Sequence, residues 1–170
     1  MLLDVKKWIH ERNVSFPIAY QFDLSDLELD ATHPFVSPIS VKGEVRVKDD
    51  FAQFDVEVSF AFSVPCDRCA TQIDRQYTYH FSHVLVETIS NEEDTGDGYY
   101  VVLENGCVDL DALLREDILL ELPTKFLCKE DCKGLCPICG KNLNEGMCSC
   151  SVRQVDPRLE VLKQWIDPTE

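Results

Sequence analysis

The stretch VKGEVRVKDDFAQFDVEVSFAFSVPCDRC, residues 41–69, decides the fold. Val41, Gly43, Val45 and Val47 alternate with Lys42, Glu44, Arg46 and Lys48, and Asp49-Asp50 reads as a turn. Phe54, Val56, Val58, Phe60, Phe62 and Val64 then alternate with Asp55, Glu57, Ser59, Ala61 and Ser63. Successive strand side chains point to opposite faces, so this period places one face in a core and the other in water. The pattern predicts an antiparallel hairpin ending at Pro65. The Cys66-Asp67-Arg68-Cys69 turn leads into a third strand over residues 73–87. There Tyr77, Tyr79 and Phe81 alternate before the apolar positions move to Val84 and Val86, which predicts a bulge near His83.

Weaker signals flank this core. Leu2, Leu3, Val5, Trp8 and Ile9 fit either a short helix or an irregular edge. Residues 14–29 mix apolar alternation with Pro17, as suits an edge strand or one that starts late. Residues 30–38 read as a loop, and the acidic run SNEEDTGDG at 90–98 as a mobile one. A short strand is expected over 99–103, with a turn at Asn105-Gly106. Asp109 caps a helix that runs to Leu122 with Leu110, Leu113, Leu114 and Ile118 as its apolar stripe, and Pro123 stops it. A last helix, opened by Asp156-Pro157, carries Leu159, Leu162, Trp165 and Ile166.

These readings predict an α+β fold: an antiparallel sheet of about five to seven strands, able to close toward a barrel, under one covering helix. Residues 1–124 would form this domain, and residues 125–170 a cysteine-rich zinc tail with a terminal helix.

The tail begins with CKEDCKGLCPICGKNLNEGMCSC, residues 128–150, which holds six of the nine cysteines. Cys136 and Cys139 form a C-P-x-C-G unit, in which Pro137 stiffens the turn and Gly140 admits the positive φ that such turns need. Cys148 and Cys150 can close a tetrahedron on the same ion. Four thiolates with no open position suit structural zinc. Cys128 and Cys132 then need partners, and Cys66 with Cys69 can supply them, leaving Cys107 alone as a buried small apolar residue. This pairing rests on arithmetic, and a single tail zinc beside an unoccupied upstream pair is the rival assignment.

Composition narrows the function. The chain has 170 residues, 45% hydrophobic and 28% charged, which is globular in character. No leader-like or membrane-spanning apolar run is visible, so nine cysteines point to reduced, metal-holding thiols in the cytoplasm. The net charge of −15 lies in residues 1–124, which carry 9 Lys+Arg against 24 Asp+Glu. So acidic a body repels nucleic acid and favours a basic protein partner.

Catalytic signatures are absent. His10, His33, His80 and His83 are scattered, and the cysteine spacings leave no open metal position. A redox role for Cys66 and Cys69 would call for the start of a helix, whereas the pair lies between strands. Lys133, Lys141, Asn142, Asn144, Arg153 and Arg158 surround the tail cysteines, either to meet RNA or protein or, for the asparagines, to cap turns.

The run CKGLCPICGKNLN…CSC followed by DPRLEVLK, with PCDRC upstream and VDLDALLREDILLELP before the tail, resembles the YceD family, the large ribosomal RNA subunit accumulation proteins. The resemblance spans residues 40–165 and is loose before that. It implies a bacterial cytoplasmic factor for 23S ribosomal RNA accumulation or processing, whose gene tends to neighbour that of a small basic large-subunit protein. It brings no catalytic residues. Family members lacking the tail motif generally keep the upstream pair, which favours two sites. Onto this chain the resemblance carries Cys66, Cys69, Cys128, Cys132, Cys136, Cys139, Cys148 and Cys150. The function expected is a non-enzymatic assembly factor that binds a large-subunit ribosomal protein or pre-ribosomal particle, with no membrane and no small-molecule substrate. The alternatives are a zinc ribbon that binds 23S precursor RNA, or an RNA-processing or redox enzyme using the upstream pair.

Overall fold

Alternation of β-branched and aromatic residues with polar ones builds the sheet, and the computed structural model describes it over residues 1–5, 14–48, 51–87 and 100–150. Seven strands are seen among these residues: β1 (Leu2–Asp4), β2 (Val14–Phe22), β3 (Ile39–Lys48), β4 (Phe51–Pro65), β5 (Gln72–Val86), β6 (Tyr100–Val102) and β7 (Cys107–Asp109). One helix, α1 (Leu110–Glu121), follows. β1 and β7 form a small antiparallel sheet, and the other five strands lie in the order β2-β3-β4-β5-β6. The first four are antiparallel, and β6 runs parallel to β5.

The expected hairpin is present, with Val41 opposite Val58 and Val45 opposite Phe54. Pro17 lies in β2, an edge strand, where a missing N–H costs no ladder bond. The barrel is not formed: β2 and β6 are the two ends of an open, mixed sheet. The expected bulge is absent too. β4 and β5 stay in one register from Pro65↔Gln72 to Ala52↔Leu85. His83 itself takes the inward slot and Leu85 keeps the phase, so a polar residue on the apolar face had mimicked a shift. Its Nε2 lies 2.7 Å from the Asp117 carboxylate, tying β5 to the helix. His80, by contrast, faces water.

The core lies between the sheet and α1. Asp109 caps the helix by accepting the Asp111 N–H, and Leu110, Leu114 and Ile118 are fully buried. Phe35, from the loop after β2, packs on Phe60 and Phe62 with ring centroids 5.3 and 5.1 Å away. Asn105 and Gly106 both have positive φ, as the expected turn requires. Residues 2–4 form a strand, and the rest of the N-terminal segment expected as a helix or irregular edge, from residue 6 on, lies outside the described residues. Cys107 is half-buried in β7, not sealed in the core. The expected turn at 49–50, the loop at 90–98 and the terminal helix after 156 lie outside the described residues.

Gly43 sits where β3 presses on β4. A Cβ there would stand 2.1 Å from the Asp55 carbonyl oxygen and 2.7 Å from the Val56 Cα. Neither atom can rotate away. Gly43→Ala should therefore destabilise the chain by about 1–3 kcal/mol, as overpacking does. Urea unfolding followed by circular dichroism would read this directly.

Candidate metal centre

Two tight turns with the same backbone design present cysteines. In the first, between β4 and β5, the Cys66 N–H donates to the Thr71 carbonyl at 2.8 Å and the Ala70 N–H to the Cys66 carbonyl at 2.9 Å. In the second, the Cys136 N–H donates to the Lys141 carbonyl at 2.8 Å and the Gly140 N–H to the Cys136 carbonyl at 2.9 Å. Both turns need a left-handed residue at the fifth position. Gly140 supplies it at φ 70°, and Ala70 adopts it at φ 56° despite its Cβ.

The first turn meets the chain leaving α1. The Phe126 N–H donates to the Asp67 carboxylate at 2.7 Å, and the Asp67 N–H to the Phe126 carbonyl at 2.9 Å. Arg75 holds the Leu127 carbonyl at 2.8 Å, and the Phe126 ring lies 5.2 Å from that of Phe62. This clamp delivers Cys128 and Cys132 to Cys66 and Cys69. The Cys66 and Cys132 sulfurs are 3.8 Å apart, and those of Cys69 and Cys128 are 3.6 Å apart. Cys136, Cys139, Cys148 and Cys150 form the second group, and within each group the four sulfurs lie within 4.8 Å of one another. All nine cysteines are free thiols.

Each group could hold a metal ion. A zinc–thiolate distance of about 2.3 Å sets tetrahedral sulfurs about 3.8 Å apart, close to the two separations in the first group. The two sets are those that the spacing arithmetic paired. A redox dithiol needs an accessible thiolate, whereas Cys66 and Cys69 are both buried, face two further cysteines and start no helix.

Electrostatics favour a cation. Burial pushes the Cys66 thiol up, but backbone N–H groups of Cys128, Arg68 and Cys69 outweigh it and bring it down to about 6. N–H groups of Cys139 and Ile138 bring Cys136 down to about 6 as well. Burial, then its neighbouring thiols, pushes Cys128 up to about 12. Cys139 does the same to Cys150, also to about 12. Crowded sulfurs thus hold some negative charge and share the remaining protons, which a divalent cation would displace.

The two groups are joined by Arg68, which the sequence did not single out, and by the asparagines expected to cap turns. Arg68 donates to the Cys132 carbonyl at 2.9 Å, and its own carbonyl accepts the Leu135 N–H at 3.0 Å. Asn144 Nδ2 donates to the Cys132 sulfur at 3.3 Å while its Oδ1 accepts the Lys133 N–H at 2.9 Å. Asn142 Oδ1 in turn accepts both the Asn144 N–H and its Nδ2. Both asparagines are therefore turn-builders, and Lys141 reaches the Met147 carbonyl. Arg153 and Arg158 lie outside the described residues. Removing a charge-assisted donor from a sulfur costs about 1–3 kcal/mol, so Asn144→Ala should weaken metal retention at the first group by roughly tenfold or more. Competition with a chromophoric chelator would measure it.

Residues 54–165 match the family described as Large ribosomal RNA subunit accumulation protein YceD. YlbN of Bacillus subtilis (strain 168) is 30% identical over 154 residues, which cover 89% of this chain and 88% of that protein. The chloroplastic large ribosomal RNA subunit accumulation protein YCED homolog 1 of Arabidopsis thaliana is 24% identical over 73% of this chain, and its Zea mays counterpart 26% over 70%. The chain spans about half the length of these plant relatives, 47% and 50%. No solved structure matches. The two cysteine turns fall inside the matched span, and the chain belongs to the YceD family of large ribosomal RNA subunit accumulation proteins.

Proposed function

We propose that this chain is a non-enzymatic factor for 23S ribosomal RNA accumulation and large-subunit assembly, acting by holding a basic large-subunit protein. The observation that carries this reading is the family match over residues 54–165. The names of the plant relatives support it, as does the charge of −15 confined to residues 1–124. We assign zinc to both cysteine groups as a structural ion: Cys66, Cys69, Cys128 and Cys132 in one, Cys136, Cys139, Cys148 and Cys150 in the other. When bound, zinc would cross-link chain segments and neutralise thiolates, and four protein ligands leave it no position for a substrate.

Residues 1–124 would be the partner-holding body and residues 125–170 the zinc-stapled tail. The first group then joins the two, since each contributes a cysteine pair. The site of action proposed is the bacterial cytoplasm; no helix among the described residues is long and apolar enough to cross a membrane. Tagged protein captured from growing cells after mild crosslinking should bring down a basic large-subunit protein with little RNA. Crosslinks from 23S precursor to residues 128–158 would favour the RNA-binding ribbon instead. Recovery of neither ribosomal protein nor precursor RNA would sink the proposal.

A further inference from the structure

The five-stranded sheet ends unevenly beside β5. β6 pairs with the end of that strand alone, from Val84↔Tyr100 to Val86↔Val102. Among the described residues, no ladder partner is seen on this side for the even residues 72–82. One bond fixes which groups are free. The Leu103 N–H donates to the Val86 carbonyl at 2.8 Å, so even-numbered residues of β5 aim their N–H and C=O away from β4. Asp74, Gln76, Thr78, His80 and Ser82 therefore carry the edge, and all five are exposed.

Proteins usually blunt such an edge with proline, lysine or a bulge. The opposite edge strand has Pro17, whereas residues 72–83 contain neither proline nor lysine and run without a bulge. Next to the free edge, a groove of about 280 Å³ opens between β5 and α1, lined by Tyr79, Phe81, Leu120 and Glu121 among others. Leu120 is 84% exposed there, while Tyr79 and Phe81 are half-buried. An open ladder beside an apolar groove is the geometry of strand addition, in which backbone bonds give affinity and alternate side chains enter pockets.

Charge selects the occupant. Glu116 and Glu121 are exposed on the helix and Asp74 on the edge, within a body carrying −15. A second copy of so acidic a chain, or a nucleic-acid backbone, would be repelled. We infer that the free edge of β5 binds an extended segment of a basic protein as an added strand. Its alternate apolar side chains enter the groove beside Leu120, and its cations lie on the opposite sheet face, beside Asp74. This inference rests on the function proposed above and names the surface that would perform it.

The test uses the full chain and a synthetic peptide of alternating valine and lysine. A control peptide of equal charge carries proline at alternate positions and cannot complete a ladder. Thr78→Pro removes an N–H that β4 does not use, and Leu120→Lys places a cation in the groove. Each variant is expected to weaken the alternating peptide roughly tenfold or more in fluorescence anisotropy. The proline peptide should bind comparably weakly to the wild type. Amides of the even residues 74–82 should gain exchange protection when the alternating peptide binds. Equal binding of both peptides, or undiminished binding by Thr78→Pro and Leu120→Lys, would overturn the inference. So would amides at 74–82 already protected in the free chain, since another segment or copy would then cover the edge. Cellular capture separates the two proposals. Equal recovery of a basic large-subunit protein by wild type and Thr78→Pro would remove the edge and leave the function standing, whereas no recovery at all would remove both.

Discussion

Cys66→Ser is expected to lower the bound zinc from about two ions per chain to about one and to release the tail from the sheet. The reason lies in what holds that tail. The small buried cluster at the junction consists of Cys66, Cys69, Cys132 and Ile73, with Phe126, Leu127 and Cys128 packed partly against it. Four of these seven are the sulfur residues themselves, so little apolar surface remains to do the work of a metal. The sheet has a separate, larger core with Phe54, Phe60, Phe62, Leu114 and Ile118 fully buried or nearly so. The variant should therefore keep its strand signal in circular dichroism while residues 125–150 become open to protease. Elemental analysis and limited proteolysis measure the two halves of this expectation. Two zinc ions retained by a folded Cys66→Ser protein would disprove the first group's assignment. Loss of the sheet as well would show that the tail staple stabilises the whole body.

Acidification should strip both ions, steeply. Cys128 and Cys150 hold their protons up to about 12 in the metal-free clusters, so binding near neutrality must expel them. Each proton released per ion makes affinity fall about tenfold per pH unit. As pH falls through about 6, Cys66 and Cys136 also take up protons, and one further proton per group steepens the loss. In the metal-free fold Cys66 acts with the same sign. The Cys66 thiol lies below its ordinary value of 9.0, so its contribution is complete above that value and disappears as pH drops through about 6. The raised Cys128 acts oppositely, contributing below 9.0 and losing that contribution as pH rises toward 12. Zinc retention after dialysis between pH 7 and 5 would show the trend, and zinc added to weakly buffered protein at pH 7 should acidify the solution. Retention that does not change with pH would argue against thiolate ligands.

The hairpin of β3 and β4 was legible because a strand's side chains repeat every two residues, and a local repeat is written along the chain. Pro17 marked an edge for an equally local reason, the missing N–H, and Asp109 marked the helix start through its own carboxylate. His83 shows where such reading stops. A histidine on the apolar face looked like a register slip, and what makes it welcome there is Asp117, distant in sequence and 2.7 Å away in space. Closure of the sheet was illegible likewise, because it depends on whether β2 and the far strand meet, and no local pattern encodes that distance. The parallel placement of β6 is decided in the same way.

The cysteine groups divide along the same line. Sequence by itself determined the two turns, since a C-x-x-C spacing with a left-handed residue after it is a matter of a few consecutive dihedrals. It also determined how many sulfurs were left to be matched. Only the tertiary structure brought Cys128 and Cys132 to Cys66 and Cys69, because that meeting needs the β4–β5 turn, the end of α1 and the Asp67–Phe126 clamp together. It alone placed the Asn144 amide on the Cys132 sulfur, and it alone set β6 against only the end of β5, leaving the even residues 74–82 without a ladder partner among the described residues. Spacing fixes what a short segment can grip, and packing between segments distant in sequence decides what it is given to hold.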